Sequence, residues 1–222
     1  MTQSQPRLLP AGDSALLVEF ADEISQEIND RVHALAQVLE TRALAGVVEV
    51  VPTYRSVLVH YSPLKLTYGE LREDVAALLT EPAAAAPRTA TLVEIPVVYG
   101  GEYGPDLASV AELHGLSAAE VVRIHSSATY SVYMLGFILG FAYLGGLDQA
   151  IATPRLSTPR TLVPAGSVGI AETQTGIYSV AAPGGWQIIG RTPLTLFDVT
   201  QIPPTIVQPG DRIRFVPIAP PA

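Results

Sequence analysis

Val163-Pro-Ala-Gly166-Ser167-Val-Gly-Ile-Ala171, then Gln174-Thr175-Gly176-Ile-Tyr178, then Pro183-Gly-Gly-Trp186-Gln-Ile-Ile-Gly190-Arg191-Thr-Pro193: this stretch of a 222-residue chain decides how the fold reads. Its apolar runs are short, and each is closed by glycine or proline. Glycine reaches backbone conformations that other residues avoid, while proline fixes φ and removes a donor. Runs of this length between such breaks read as strands joined by shaped turns. The same rhythm holds on either side, with apolar runs at 129–135, 140–144, 161–163, 167–171, 186–191, 194–199, 205–207 and 212–217. Such spacing predicts a small closed or sandwiched β domain. The Pro/Ala-rich tail beyond Phe215 reads as frayed.

Upstream, two short helices are expected from Leu107 to His114 and from Ala118 to Ser126, with Ser117 and Glu120 in capping-box spacing. Earlier still, Leu16–Phe20 reads as a strand. Apolar positions Ile24, Ile28, Val32, Leu35 and Leu39 form a helical stripe that Ser25 can cap. Strands at 47–51 and 56–61 follow, then a helix entered at Thr67. The order is β-α-β-β-α. Glu81-Pro-Ala-Ala-Ala-Ala-Pro87-Arg-Thr89 reads as a linker. The strand after it, 91–98, either completes a ferredoxin-like sheet or opens a second domain; the second placement gives domains at 1–86 and 91–222.

Composition narrows the function. A net charge of −8 with a pI near 4.9 argues against a nucleic-acid partner, which needs a basic surface. There is no cysteine, hence no disulfide, thiol nucleophile or Cys-based zinc site. No apolar run reaches the roughly 18–20 residues of a membrane span, and no signal peptide opens the chain, so a cytoplasmic protein is expected. No P-loop is present. The one lysine, Lys65, lies in the first half, and the four histidines lack metal-ligand spacing, so no metal site is expected.

Arginine remains. Arg160 and Arg191 sit at strand edges beside tight turns, where a guanidinium fork can meet a carboxylate or phosphate; as surface ion-pair partners they are equally ordinary. His125 reads either as a helix C-terminal residue or as a site group. Gln174 and Thr175 precede Gly176 in an expected turn, and Trp186 either floors a pocket or fills the barrel end. Gly166 and Gly169 frame a turn that could aim amides at an anion. Tyr130 and Tyr143 read as core. Gly136-Phe-Ile-Leu139-Gly140-Phe is either a strand corner or an exposed apolar lip that a partner covers.

These segments, with Gly12-Asp-Ser-Ala-Leu-Leu-Val-Glu-Phe20, Pro52-Thr-Tyr54-Arg55-Ser and Pro96-Val-Val-Tyr99-Gly-Gly-Glu-Tyr103-Gly-Pro-Asp106-Leu107, resemble the 5-oxoprolinase B-subunit family, also known as allophanate hydrolase subunit 1 and as KipI-like. The resemblance spans about residues 8 to 217. It implies an α+β chain: a small ferredoxin-like α/β domain, then a cyclophilin-like β-barrel domain. It also implies a heteromer with the C and A subunits of 5-oxoprolinase, which opens 5-oxo-L-proline to L-glutamate using ATP, with Mg2+, bound by the assembled complex. In that setting His125, Arg160, Gln174 and Arg191 are the expected catalytic residues. Tyr130, Gly166, Ser167, Thr175 and Trp186 are expected to bind substrate or nucleotide, and the chain alone is expected to be inactive. The resemblance also admits a KipI-like inhibitor of a sensor histidine kinase, or a component of an allophanate/urea-amide hydrolase. Two positions depart from the family pattern: Leu139 and Ser179 stand where prolines are expected.

Overall fold

A computed structural model describes residues 5–81 and 90–221. The chain divides into two compact units, Met1–Thr89 and Ala90–Ala222. The linker expected at 81–89 lies, from residue 82 onward, outside the described residues.

In the first unit, β1 (Arg7–Pro10), β2 (Ala15–Glu19), β3 (Val47–Pro52) and β4 (Ser56–Tyr61) form an antiparallel sheet in the order β1-β2-β4-β3. Helix α1 (Gln26–Arg42) starts where Ser25 accepts a hydrogen bond from the Ile28 amide. Helix α2 (Tyr68–Thr80) starts at a full capping box between Thr67 and Glu70. Alternate strand residues Leu16, Val18, Val57 and Val59 bury against Val32, Leu35, Leu39, Leu71 and Val75 of the helices. A ferredoxin-like sheet needs a strand after the second helix. Here that edge belongs to β1, which the sequence reading lacks. Four mostly exposed residues ending in proline carry little periodic signal, as edge strands often do.

The second unit is a closed barrel of β5 (Leu92–Tyr99), β6 (Thr129–Leu135), β7 (Ala142–Gly145), β9 (Ser167–Ala171), β10 (Gln174–Ile177), β12 (Gln187–Arg191) and β13 (Arg212–Pro217), in the order β10-β7-β6-β13-β5-β12-β9. A separate pair, β8 (Arg160–Val163) and β11 (Ala182–Gly184), lies beside it. Among the described barrel strands, β13 and β5 pair in parallel and the others antiparallel. Inward residues Ile95, Val97, Val132, Leu144, Val168, Ile170, Ile177, Ile189, Ile213 and Phe215 fill the interior. Helices α3 (Leu107–His114) and α4 (Ala118–Ser127) add Leu107, Val110, Ala111 and Val121 to the same core.

Two expectations change. Gln174–Ile177 is a strand, not a turn, and Gly176 is there for packing: a Cβ on it would lie 2.8 Å from Phe141 and 2.9 Å from Trp186. The runs at 194–199 and 205–207 reduce to one bridge, Phe197 to Thr205.

Candidate functional site

His125, Tyr130 and Thr175 gather inside the barrel. Each is fully buried. The Thr175 hydroxyl donates to the Gly169 carbonyl at 2.9 Å, and its oxygen lies 2.9 Å from His125 Nε2. Since the single Thr175 proton is already committed, His125 Nε2–H donates to Thr175 and Nδ1 accepts from the Tyr99 hydroxyl at 2.8 Å. The Tyr130 hydroxyl donates to the His125 carbonyl at 2.7 Å, and Phe215 stacks on the imidazole with ring centres 4.6 Å apart. Burial pushes the imidazole down to about 3 and raises both phenols above their ordinary range. The imidazole is therefore neutral, with both nitrogens engaged and no solvent-facing atom. The structure places the expected catalytic His125 and the expected binding residues Tyr130 and Thr175 together inside the barrel, buried and hydrogen-bonded to one another and to Tyr99.

Trp186 also has a packing role. It lies 5 % exposed on the outer wall with Val163, Tyr178, Ile188 and Phe141, its ring 5.3 Å from that of Phe141. Arg160 donates to Asp106 Oδ1 at 2.6 Å, while Asp106 Oδ2 accepts from the Ile188 amide at 2.6 Å. The ion pair ties the entry of α3 to β8, and the bond from the Ile188 amide ties it to β12. Gln174 opens β10 opposite Ala171, at the other end of β9 from Ser167.

Arg191 differs. It is the last residue of β12 and pairs directly with Ser167 of β9 and Val98 of β5, on the outer face of the barrel wall. Its guanidinium lies 5.5 Å from the centre of the Tyr103 ring. The residue is half-buried, yet among the described residues its Nε, like the buried Ser167 Oγ beside it, has no hydrogen-bond partner. Each such group costs roughly 1–3 kcal/mol when left unsatisfied. A cavity of ≈ 230 Å³ opens here, lined by Val98, Tyr103, Arg191, Thr192, Pro193, Ile218, Ala219 and Pro221.

The turn before Ser167 fixes this corner. Gly166 has φ +81, and a Cβ on it would lie 2.4 Å from the Thr192 carbonyl. Its carbonyl accepts from the Thr192 amide at 2.9 Å, so the turn grips the chain just after Arg191. The amides of this turn, expected from sequence to face an anion, are bonded within the chain: the Gly166 amide donates to the Tyr178 carbonyl and the Ser167 amide to the Pro164 carbonyl. Arg160 is absent from the cavity wall, so the two guanidinium groups do not share one pocket.

Sequence reading misses Tyr103 and the tail. Tyr103 falls in a turn with no periodic pattern. The tail reads as frayed, yet the Ile218 amide donates to the Val97 carbonyl at 2.9 Å and holds the cavity wall in place. The two departures from the family pattern meet in space, where the Ser179 hydroxyl donates to the Leu139 carbonyl. That bond braces the lip, whose Phe137 is 62 % and Leu139 65 % exposed.

In the first unit, Arg55 donates to Glu19 at 2.6 Å and Arg7 donates to Glu19 at 2.5 Å, so both guanidinium groups already hold a carboxylate. Among the described residues, no three His, Asp or Glu side chains gather as metal ligands, and no helix is long and apolar enough to cross a membrane.

Residues 6–207 match the family described as carboxyltransferase domain, subdomain C and D. The chain is 44% identical over 218 residues to the B subunit of 5-oxoprolinase from Bacillus subtilis (strain 168), covering 94% of this chain and 91% of that protein. It is 53% identical to a crystal structure of a conserved uncharacterized protein from Pyrococcus horikoshii, with TM-score 0.58, covering 96% of this chain and 97% of that one. A crystal structure of TTHA0988 is 35% identical with TM-score 0.83; the match covers 93% of this chain and 40% of that longer one.

Proposed function

This chain belongs to the 5-oxoprolinase B-subunit family, and from that membership we propose that it is the B subunit of an ATP-dependent enzyme that opens 5-oxo-L-proline to L-glutamate. The observation that carries the reading is the match with the Bacillus subtilis protein, which runs through both units rather than one. The C and A subunits complete the enzyme in this reading, and the chain alone is inactive. We read the first unit as a ferredoxin-like sheet whose outer strand comes from the N-terminal side, and the barrel as cyclophilin-like. Neither label brings prolyl isomerase activity with it, because fold does not fix function.

Within the assembly, Arg191 is this chain's contribution to the site, held next to the Gly166–Thr192 bond with its guanidinium over the Tyr103 ring. The described residues do not fit a magnesium–nucleotide site. They hold no cluster of metal ligands, and the one lysine lies in the first unit. The nucleotide is accordingly assigned to the assembled complex. The lip of Phe137 and Leu139 is assigned to the companion subunit. In TTHA0988 the matching segment is 40% of a longer chain, so further polypeptide accompanies it there.

The test is co-expression with the two other subunits, followed by assay of ATP-dependent glutamate release, with allophanate assayed in parallel. Turnover of 5-oxo-L-proline should need the full set of subunits, and Arg191→Ala should abolish it while leaving the circular dichroism spectrum unchanged. Turnover by the isolated chain, failure to co-purify with either companion, or exclusive use of allophanate overturns the reading.

A further inference from the structure

We propose that the cavity beside Arg191 is a binding site for a small monocarboxylate, complete within this one chain. Resting on the function proposed above, the carboxylate is that of the lactam substrate.

Four observations converge on it. The first is the missing acceptor. Elsewhere in the barrel unit Arg160 donates to Asp106, Arg214 to Glu94 and Arg212 to Ser131. Arg155 is exposed. Arg191 is half-buried, yet among the described residues it has neither carboxylate nor hydrogen-bond acceptor, in a chain with 21 acidic residues. A guanidinium taken partly out of water without an acceptor is the counterpart of an anionic ligand.

The second is orientation. The Arg191 guanidinium carbon lies over the Tyr103 ring, 5.5 Å from its centre. A ring face attracts the cation but takes up no guanidinium N–H as a carboxylate would, so those donors remain for a carboxylate. The third is the wall. Val98, Pro193, Ile218, Ala219 and Pro221 are apolar, and Arg191 is the one charged residue lining the cavity. One cation balances one carboxylate, the apolar wall suits the methylenes of a small ring, and Tyr103 and Thr192 add polar groups to the lining. A multiply charged phosphate would need further donors, and the turn amides that could have served are already engaged. The fourth is size. A volume of ≈ 230 Å³ is below the roughly 300–1,000 Å³ of sites for drug-sized ligands, so the occupant is small.

Isothermal titration of the full-length isolated chain tests this with four probes. These are 5-oxo-L-proline, cyclopentanecarboxylate (no lactam), 2-pyrrolidinone (no carboxylate) and inorganic phosphate. Both carboxylates should bind, with 2-pyrrolidinone and phosphate weaker by at least about tenfold. Arg191→Met should weaken both carboxylates by a similar factor, and Arg191→Lys should retain part of the binding. A second variant, Ile218→Ser, alters the wall without touching the cation and should weaken cyclopentanecarboxylate. Equal binding of 2-pyrrolidinone, tighter binding of phosphate, or unchanged binding by Arg191→Met overturns the carboxylate site. Arg191-dependent binding of cyclopentanecarboxylate, with no 5-oxoproline turnover by the reconstituted complex, supports the site and sinks the enzymatic reading. Turnover without Arg191-dependent carboxylate binding does the reverse.

Discussion

His125 is held neutral by burial, and this has a measurable consequence. Its value falls from 6.5 in the unfolded chain to about 3 in the fold. The stability this represents is complete above pH 6.5, where neither state is protonated. Below that the unfolded chain takes up a proton that the folded chain refuses, so stability falls as the pH drops from 6.5 toward 3. Urea unfolding at pH 7.5 and pH 5 should show a steeper loss for the parent protein than for His125→Gln. Equal losses would assign the effect to carboxylates instead. The same burial is not legible in the sequence. A histidine near a helix end, ahead of a glycine-rich stretch that carries Arg160 and Arg191, looks like a site group; only the fold shows Thr175 and Tyr99 closing over both nitrogens. Arg191 is legible for the opposite reason. Gly190 before it and Thr192-Pro193 after it mark a strand end, and strand ends reach the surface.

At the scale of elements, local chemistry is legible in the sequence and long-range chemistry is not. The helix at 107–114 has the boundaries expected from sequence, and that at 118–127 is one residue longer, with the Ser117–Glu120 box present. A cap is a contact between residues three apart, visible in any short window. Strand β10 escapes such a window because its glycine serves a contact with Phe141 and Trp186, which lie far away in sequence. The lip is a case where an element keeps a strained residue. Phe137 has φ 65, a conformation that costs a side-chain-bearing residue about 1–2 kcal/mol. Its ring gives back only edge contacts with Phe141 and Tyr178. Phe137→Gly should leave stability unchanged or raise it by up to about 1 kcal/mol, while weakening co-purification with the companion subunit. A clear drop in Tm, with assembly intact, would show that the ring serves this chain's own packing.

At the scale of the molecule, every strand pair of the barrel and the β8–β11 pair lie between residues 92 and 217. A fragment spanning 90–222 should therefore fold by itself, giving a dispersed amide spectrum and the same His125 environment as in the full chain. A collapsed spectrum would show that the barrel depends on the first unit. No local pattern announces the closure, because the pair that seals it joins strands at 92–97 and 212–217 in parallel.

That late seal bears on how the protein is made. The ring of strands cannot shut until a ribosome has read past residue 217. A nascent chain halted earlier carries two open edges, on β5 and β6, able to pair with any neighbouring strand. Premature termination in this gene should therefore deliver aggregates cleared by quality control rather than a truncated, competent protein.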